Sequence, residues 1–251
     1  MTSPDEDEAK LESAASGGEN KAEYVRDVFS RIAPRYDLLN HLLSFNIDKA
    51  WRRKAIAELD IARNPRGRYL DLCAGTLDVT AALTKSTGFS GSVVSLDFAE
   101  PMLRAGRSKV ANQRVDLVTG DALQLPIVTS SIAGAIVAFG IRNVADLDAG
   151  LKEVYRVLAP GARFVILEFS TPRSTVVNTG YQLYFRHVLP AIGGLISGHR
   201  TAYRYLPRSV ANFPVTEDLA RRMRAAGFDD VRWRSITMGV AAIHVGVKRP
   251  L

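Results

Sequence analysis

Three aspartates carry the strongest chemical signal in this chain, because each follows a short apolar run. Asp71 lies inside "YLDLCAGTLDVT" (Tyr69–Thr80), Asp97 ends "SVVSLD", and Asp121 follows "VDLVTG". In a parallel sheet, ligands collect beyond the carboxyl ends of the strands, where strand order reverses. Gly75 lets the backbone turn tightly after the first run and approach a ligand closely. The helix that follows offers free N–H groups at the same place. Asp97 stands roughly 20 residues further on, where an acid hydrogen-bonds ribose hydroxyls. Asp121 can meet an adenine amino group, with the N–H of Ala122 facing the ring. The set reads as a site for an adenosine-containing cofactor.

The acids also discriminate between cofactors. A dinucleotide site needs G-x-G-x-x-G so that backbone can reach a pyrophosphate. Here only Gly75 is present, and Asp71 and Asp78 flank the turn. Two carboxylates repel a pyrophosphate but favour a sulfonium and an ammonium, which points to S-adenosylmethionine rather than NAD. A strand–turn–helix with capping acids is the competing reading.

Positioning these residues requires alternating strands and helices. Strands are expected at Tyr69–Cys73, Ser92–Asp97, Val115–Val118, Ile132–Phe139, Ala162–Glu168, Asp230–Ser235 and Ala241–Val247. Helices are expected at Leu77–Thr87, Glu100–Val110, Ala145–Leu158 (closed by "APG") and Thr216–Ala226. Continuous apolar strands between helices imply an α/β fold with a mostly parallel sheet covered on both faces. Residues 1–23 hold seven acids and two lysines and almost no large apolar side chain. They read as a disordered acidic tail. Residues 24–251 read as one domain, with an N-terminal helical cap (24–60) and an insertion after strand five (171–214) too long for an ordinary connection.

The chain resembles the ubiquinone/menaquinone biosynthesis C-methyltransferase family (UbiE/MenG type). The residues that carry the likeness are "VFSRIAPRYDLLNHLLSF", "LDLCAGTLD", "FGIRNV", "YRVLAPGARFVILEFSTP", "HVLPAIGGLIS" and "YRYLPRSV", in order along Tyr24–Lys248. The resemblance implies a class I SAM-dependent methyltransferase (Rossmann-like) fold, whose seven-stranded sheet ends in an antiparallel strand. It implies cofactor contacts at Thr76, Asp97, Asp121 and Ala122. A further cofactor position, often serine in the family, is Ala138 here, and Leu77 replaces a usually small residue. The implied reaction is C-methylation of a polyprenylated demethyl-quinol, demethylmenaquinol before the ubiquinone-pathway benzoquinol.

Methylating a ring carbon needs an electron-rich, ionised quinol, a cation or donor for the phenolate, and a proton acceptor. Arg142 and Asn143 in "FGIRNV" follow strand four and are the candidate catalytic pair. Arg142 is always charged, and Asn143 can orient a water or the hydroxyl. The competing reading pairs Arg142 with a local acid such as Asp146 and makes Asn143 a helix cap. Tyr36, His187 and Tyr203 are the candidate substrate-side residues, and no general base stands out. His41, His199 and His244 share no metal-ligand spacing, so no metal is expected.

The body outside residues 1–23 has 31 basic and 19 acidic residues. Such a surface suits an anionic ligand or a lipid headgroup. The segment 171–214 is expected to line the quinone entrance and touch the bilayer surface, with a capping subdomain or dimer interface as its alternative. One cysteine and no run of about 20 apolar residues fit a cytoplasmic protein with at most a peripheral membrane contact. The rival functions are a methyltransferase for another small acceptor and a non-catalytic basic RNA- or SAM-binding module. Nucleic acid is not expected, because the aromatics cluster in one segment rather than along a basic stripe. Oligomeric state stays open, a homodimer included.

Overall fold

The apolar runs become the strands of one sheet in the computed structural model, which describes residues 11–15, 21–184 and 200–250. The strands are β1 (Arg68–Leu72), β2 (Ser92–Asp97), β3 (Val115–Thr119), β4 (Ile132–Ala138), β5 (Leu158–Phe169), β6 (Phe228–Ile236) and β7 (Ala241–Lys248). Their spatial order is β3-β2-β1-β4-β5-β7-β6. The pairs from β3 to β5 are parallel, and β7 runs antiparallel to both β5 and β6. The chain winds outward from β1 to β3 and then restarts at β4 on the other side of β1. That reversal opens a cleft at the carboxyl ends of β1 and β4.

Both faces of the sheet are covered, which is why its strands read as unbroken apolar runs. Helices α3 (Ile47–Ala57) and α4 (Asp78–Thr84) cover one face through Trp51, Ile56, Val79 and Leu83. Helices α6 (Leu147–Val157) and α9 (Thr216–Ala225) cover the other through Leu151, Val154, Leu219 and Met223. Each such side chain, fully buried, stabilises the fold by roughly 1.5–3 kcal/mol. Helix α5 (Glu100–Gly106) stops four residues short of its expected end, because Arg107–Val110 tighten into a 3₁₀ turn. The "APG" expected to close α6 lies inside β5 instead. Leu158 already pairs with Ile132, and the register shifts before Arg163 pairs with Gly134.

Above the cleft sits the cap. Helices α1 (Lys21–Ile32) and α2 (Tyr36–Leu43) flank a 3₁₀ turn at Ala33–Arg35, where Pro34 breaks the helix. Helix α3 ties the cap to the far strands through a 2.7 Å hydrogen bond from Trp51 Nε1 to Thr237 Oγ1. Within the segment 171–214 lie α7 (Thr175–Leu183) and α8 (Arg200–Ala211). Tyr181 of α7 and Val210 of α8 pack on Ile32 of α1. Where the expected acidic tail is described, it is helical. Residues 11–15 form a turn with Leu11, Ala14 and Ala15 buried, packed near Val25 and Tyr205, and α1 begins at Lys21.

Candidate active site

Two cavities meet at the strand ends. The first, of about 630 Å³, lies beyond β1, β2 and β4 and is lined by Gly75, Asp97, Asp121, Ala122, Ala138 and Asn143 among others. The second, of about 320 Å³, is enclosed by cap and insertion helices, with Trp51, Phe139, Arg142, Phe169, Tyr181 and Tyr205 in its walls. Phe29, Tyr36 and Phe139 line both. The sequence-level candidates Arg142 and Asn143 therefore divide between the cavities although they are chain neighbours.

The first cavity owes its floor to two glycines. Gly75 has φ +53° and carries the backbone around the turn after β1. A Cβ on Gly140 would lie 2.4 Å from Cys73 Cβ, so only glycine lets the ends of β1 and β4 close this tightly. Asp97 organises the turn: Oδ2 accepts the Gly75 N–H at 2.8 Å and Oδ1 the Ala99 N–H at 2.9 Å. Burial raises its pKa, and these backbone donors oppose the rise. Asp121 is exposed, and its Oδ1 accepts the Leu123 N–H at 2.9 Å. Glu23 and Arg26 of α1 complete the wall.

The donor set fits an adenosine joined to an amino acid. Asp97 and Asp121 offer acceptors to hydroxyl and amino groups, while Leu96, Met102 and Ala122 give flat apolar surface. Glu23 and Arg26 match an ammonium and a carboxylate. The volume falls in the range of small-molecule sites.

Two expected cofactor residues, Asp71 and Thr76, lie off the cavity wall, as does Leu77. Asp71 does not line the cavity. It is buried beneath the turn, where Oδ2 accepts both the N–H of Thr80 at 3.0 Å and its Oγ1 at 2.6 Å. It thus satisfies a free N–H in the first turn of α4, the capping role of the competing reading. Its burial pushes its pKa up to about 7. Thr76 is also buried, its Oγ1 donating to Asp37 of the cap. Leu77 has φ +67°, yet its side chain is fully buried with Leu103 and Val110, away from the cavity. The large residue thus adds nothing to the lining of the first cavity.

Arg142 is buried and paired, though not with Asp146, which caps α6 through the Ala149 N–H. Its NH1 donates to Glu168 Oε1 at 2.8 Å and to the Phe139 carbonyl. Its guanidinium lies 5.6 Å from the Phe169 ring centre. Asn143 caps nothing. Its Oδ1 accepts the Tyr205 hydroxyl at 3.1 Å, across the boundary between the cavities. Tyr36 stands in the shared wall, its pKa raised by burial. His187 lies outside the described residues, as does the side chain of Tyr203.

Glu168 and Tyr205 escaped sequence reasoning. So did a charged network joining the cap to the cofactor turn. Lys109 Nζ reaches Asp37 at 2.5 Å and Asp78 at 2.6 Å. His41 Nδ1 lies 3.0 Å from Asp48, and Arg52 pairs with Asp48. His41, Asp48 and Asp78 bring ligand atoms within 4.8 Å of one another, a spacing a metal ion accepts. Arg52, Ser44 and Lys109 already engage those carboxylates, so we read the trio as an ion-pair network.

The profile of the ubiE/COQ5 methyltransferase family matches residues 18–248. A demethylmenaquinone methyltransferase of Thermus thermophilus is 49% identical over 221 residues, 87% of this chain and 99% of the relative. A ubiquinone/menaquinone biosynthesis C-methyltransferase UbiE of Geotalea daltonii is 43% identical, over 91% of this chain and 97% of the relative. Among solved structures, a SAM-dependent methyltransferase of Thermotoga maritima superposes with a TM-score of 0.59 at 20% identity, covering 89% of this chain and 99% of that one. The fold is that of class I methyltransferases.

Proposed function

Because the chain belongs to the ubiE/COQ5 methyltransferase family, we propose that it methylates a ring carbon of a polyprenylated demethyl-quinol, demethylmenaquinol foremost, using S-adenosylmethionine. One observation carries this reading: a cavity with acidic acceptors and a more apolar cavity share a wall, and the "FGIRNV" turn contributes to both. When bound, S-adenosylmethionine supplies an electrophilic methyl group. The residues Gly75, Asp97, Asp121 and Ala122 hold it in the first cavity.

The second cavity suits the ring. Its walls are mostly aromatic and aliphatic, and electrostatic interactions are stronger in such surroundings than in water. Arg142 offers a guanidinium to the ionising hydroxyl, and the Tyr205–Asn143 hydrogen bond fixes the wall beside it. Tyr36 and Phe139 hold the ring against the shared boundary. Alignment of this kind supplies up to about 7–11 kcal/mol of catalysis.

The acceptor's tail places this cavity near lipid. Phe45 and Ile47 line the cavity and are 76% and 42% exposed, beside exposed Leu38 and Leu42. This rim is our proposed peripheral membrane contact. Among the described residues no helix is long and apolar enough to cross a membrane.

The test combines purified protein, labelled S-adenosylmethionine and reduced demethylmenaquinol in detergent, with the benzoquinol precursor alongside. We expect one methyl on the ring carbon of the naphthoquinol, read by mass. Cofactor binding without transfer to either quinol would overturn the acceptor assignment.

A further inference from the structure

Glu168 ends β5 beside Arg142, and the chemistry above makes no use of it. It is 2% exposed, and its partner Arg142 is 8% exposed. One oxygen, Oε1, takes the Arg142 NH1 at 2.8 Å and the Phe169 N–H at 2.9 Å. The other, Oε2, and the Arg142 Nε have no hydrogen-bond partner among the described residues. Only Arg142 of the two lines the apolar cavity.

Resting on the quinol reading, we propose that Glu168 is a positioning residue that fixes Arg142 in the cavity wall and cancels its charge, so that the pair sets the acidity of the acceptor's hydroxyl. A lone guanidinium in an apolar cavity would make a neighbouring phenol much more acidic. It would also hold the phenolate so firmly that the ring carbon became a poorer nucleophile. A neutralised pair keeps the directed N–H donors and removes the excess field. Tyr36 on α2, Asp48 and Arg52 on α3, Tyr181 on α7 and Tyr205 on α8 line the same cavity as Arg142, and Lys21 on α1 and Cys73 after β1 lie near enough to feel its charge. Burial raises the pKa of the three tyrosines and of Cys73, so these stay neutral near pH 7 and leave the balance to the charged residues.

The experiment is the pH profile of kcat with demethylmenaquinol. Glu168→Gln keeps an acceptor for Arg142 but leaves its charge uncompensated. The acidic limb should move to lower pH by about one unit, and in Arg142→Gln to higher pH by a similar amount. A Glu168→Gln limb that coincides with the wild-type limb, however far the plateau falls, overturns the proposal. The double variant Arg142→Gln/Glu168→Gln removes both charges and, read against a displaced Arg142→Gln limb, decides the matter if Glu168→Gln fails to fold. Its limb should fall at the wild-type pH, and a displaced limb counts against the pair. A second readout needs no turnover: 4-nitro-1-naphthol, titrated by absorbance while bound, should show the same opposite shifts. Failure of the wild-type protein to methylate any quinol removes the proposed acceptor, and the naphthol titration then judges the pair alone. A naphthol that does not bind the wild-type protein overturns the proposal, because the cavity is then no site for a phenol.

Discussion

Asp71 shows how a residue type can be legible while its role is not. A carboxylate at the end of the first strand is visible in the sequence, but only the structure shows it beneath the turn, capping α4. Its burial has a testable consequence. The folded-state pKa of about 7 lies above the unfolded value near 4. Between those values the native protein holds a proton that the unfolded chain has released. This group's contribution to stability is therefore full below about pH 4 and is lost as pH rises toward 7. Its size is on the order of a few kcal/mol. His244, whose pKa burial pushes down to about 4, gives the opposite slope over pH 4–6.5, and Asp97 and Glu168, also raised by burial, add to the Asp71 slope, so only the difference between variant and wild type isolates Asp71. Asp71→Asn keeps an acceptor for Thr80 and removes one titration. We expect the variant's Tm, relative to wild type, to climb from pH 4 to pH 8. A difference that stays constant across that range would show that the Asp71 pKa is not raised in the folded protein. Glu168 and Tyr205 illustrate a second limit. Arg142 and Glu168 are 26 residues apart, and only the pairing of β4 with β5 reveals them as partners. Local spacing favours Asp146 instead. Similarly, "YRYL" offers two tyrosines, and the sequence alone does not show that Tyr205 bonds to Asn143.

Among the elements, strands proved the more readable. β2 falls on its expected limits because an apolar run ends abruptly at Asp97. Helix ends drifted where 3₁₀ turns or the "APG" bulge intervened, since these depend on packing more than on local preference. The junction of cap and cofactor turn was invisible, because its members lie on four separate elements. Thr76 Oγ1 and Lys109 Nζ both bond to Asp37 of α2. The side chains of Lys109 and Asp37 are 27% and 35% exposed, so each ion pair contributes modestly, on the order of 1 kcal/mol. Shared partners make the network more than a set of isolated pairs. Asp37→Asn should speed amide hydrogen exchange across Tyr36–Leu43 and weaken S-adenosylmethionine binding severalfold in calorimetry, with the melting temperature nearly unchanged. Unaltered exchange in α2 would show that the latch does not hold the cap.

The whole molecule sets a polar cavity over the sheet and an apolar one under the cap, with exposed apolar residues at the latter's rim. A lipid-tailed acceptor would reach that cavity from a bilayer surface. Leu38→Ser together with Leu42→Ser, exposed beside the cavity but not in its lining, should therefore lower co-sedimentation with liposomes of mixed zwitterionic and anionic lipid severalfold, while leaving turnover of a short-tailed quinol within about twofold of wild type. Equal sedimentation of the two proteins would place the membrane contact elsewhere. The apolar, aromatic and flanking basic residues of 171–214 point, in the sequence, to both the quinone entrance and a bilayer contact there, and residues 185–199 of that segment lie outside the described structure. In the structure Val177, Tyr181, Tyr184, Tyr205 and Leu206 from that segment line the cavity.

The wall of Phe29, Tyr36 and Phe139 has one more implication. A partition touched from both sides cannot move for one ligand without being felt by the other. If settling those rings for one occupant changes its neighbour's affinity by some factor, the neighbour changes the first occupant's affinity by the same factor. The two ligands are thereby thermodynamically linked, and the protein can register that both are present before chemistry begins.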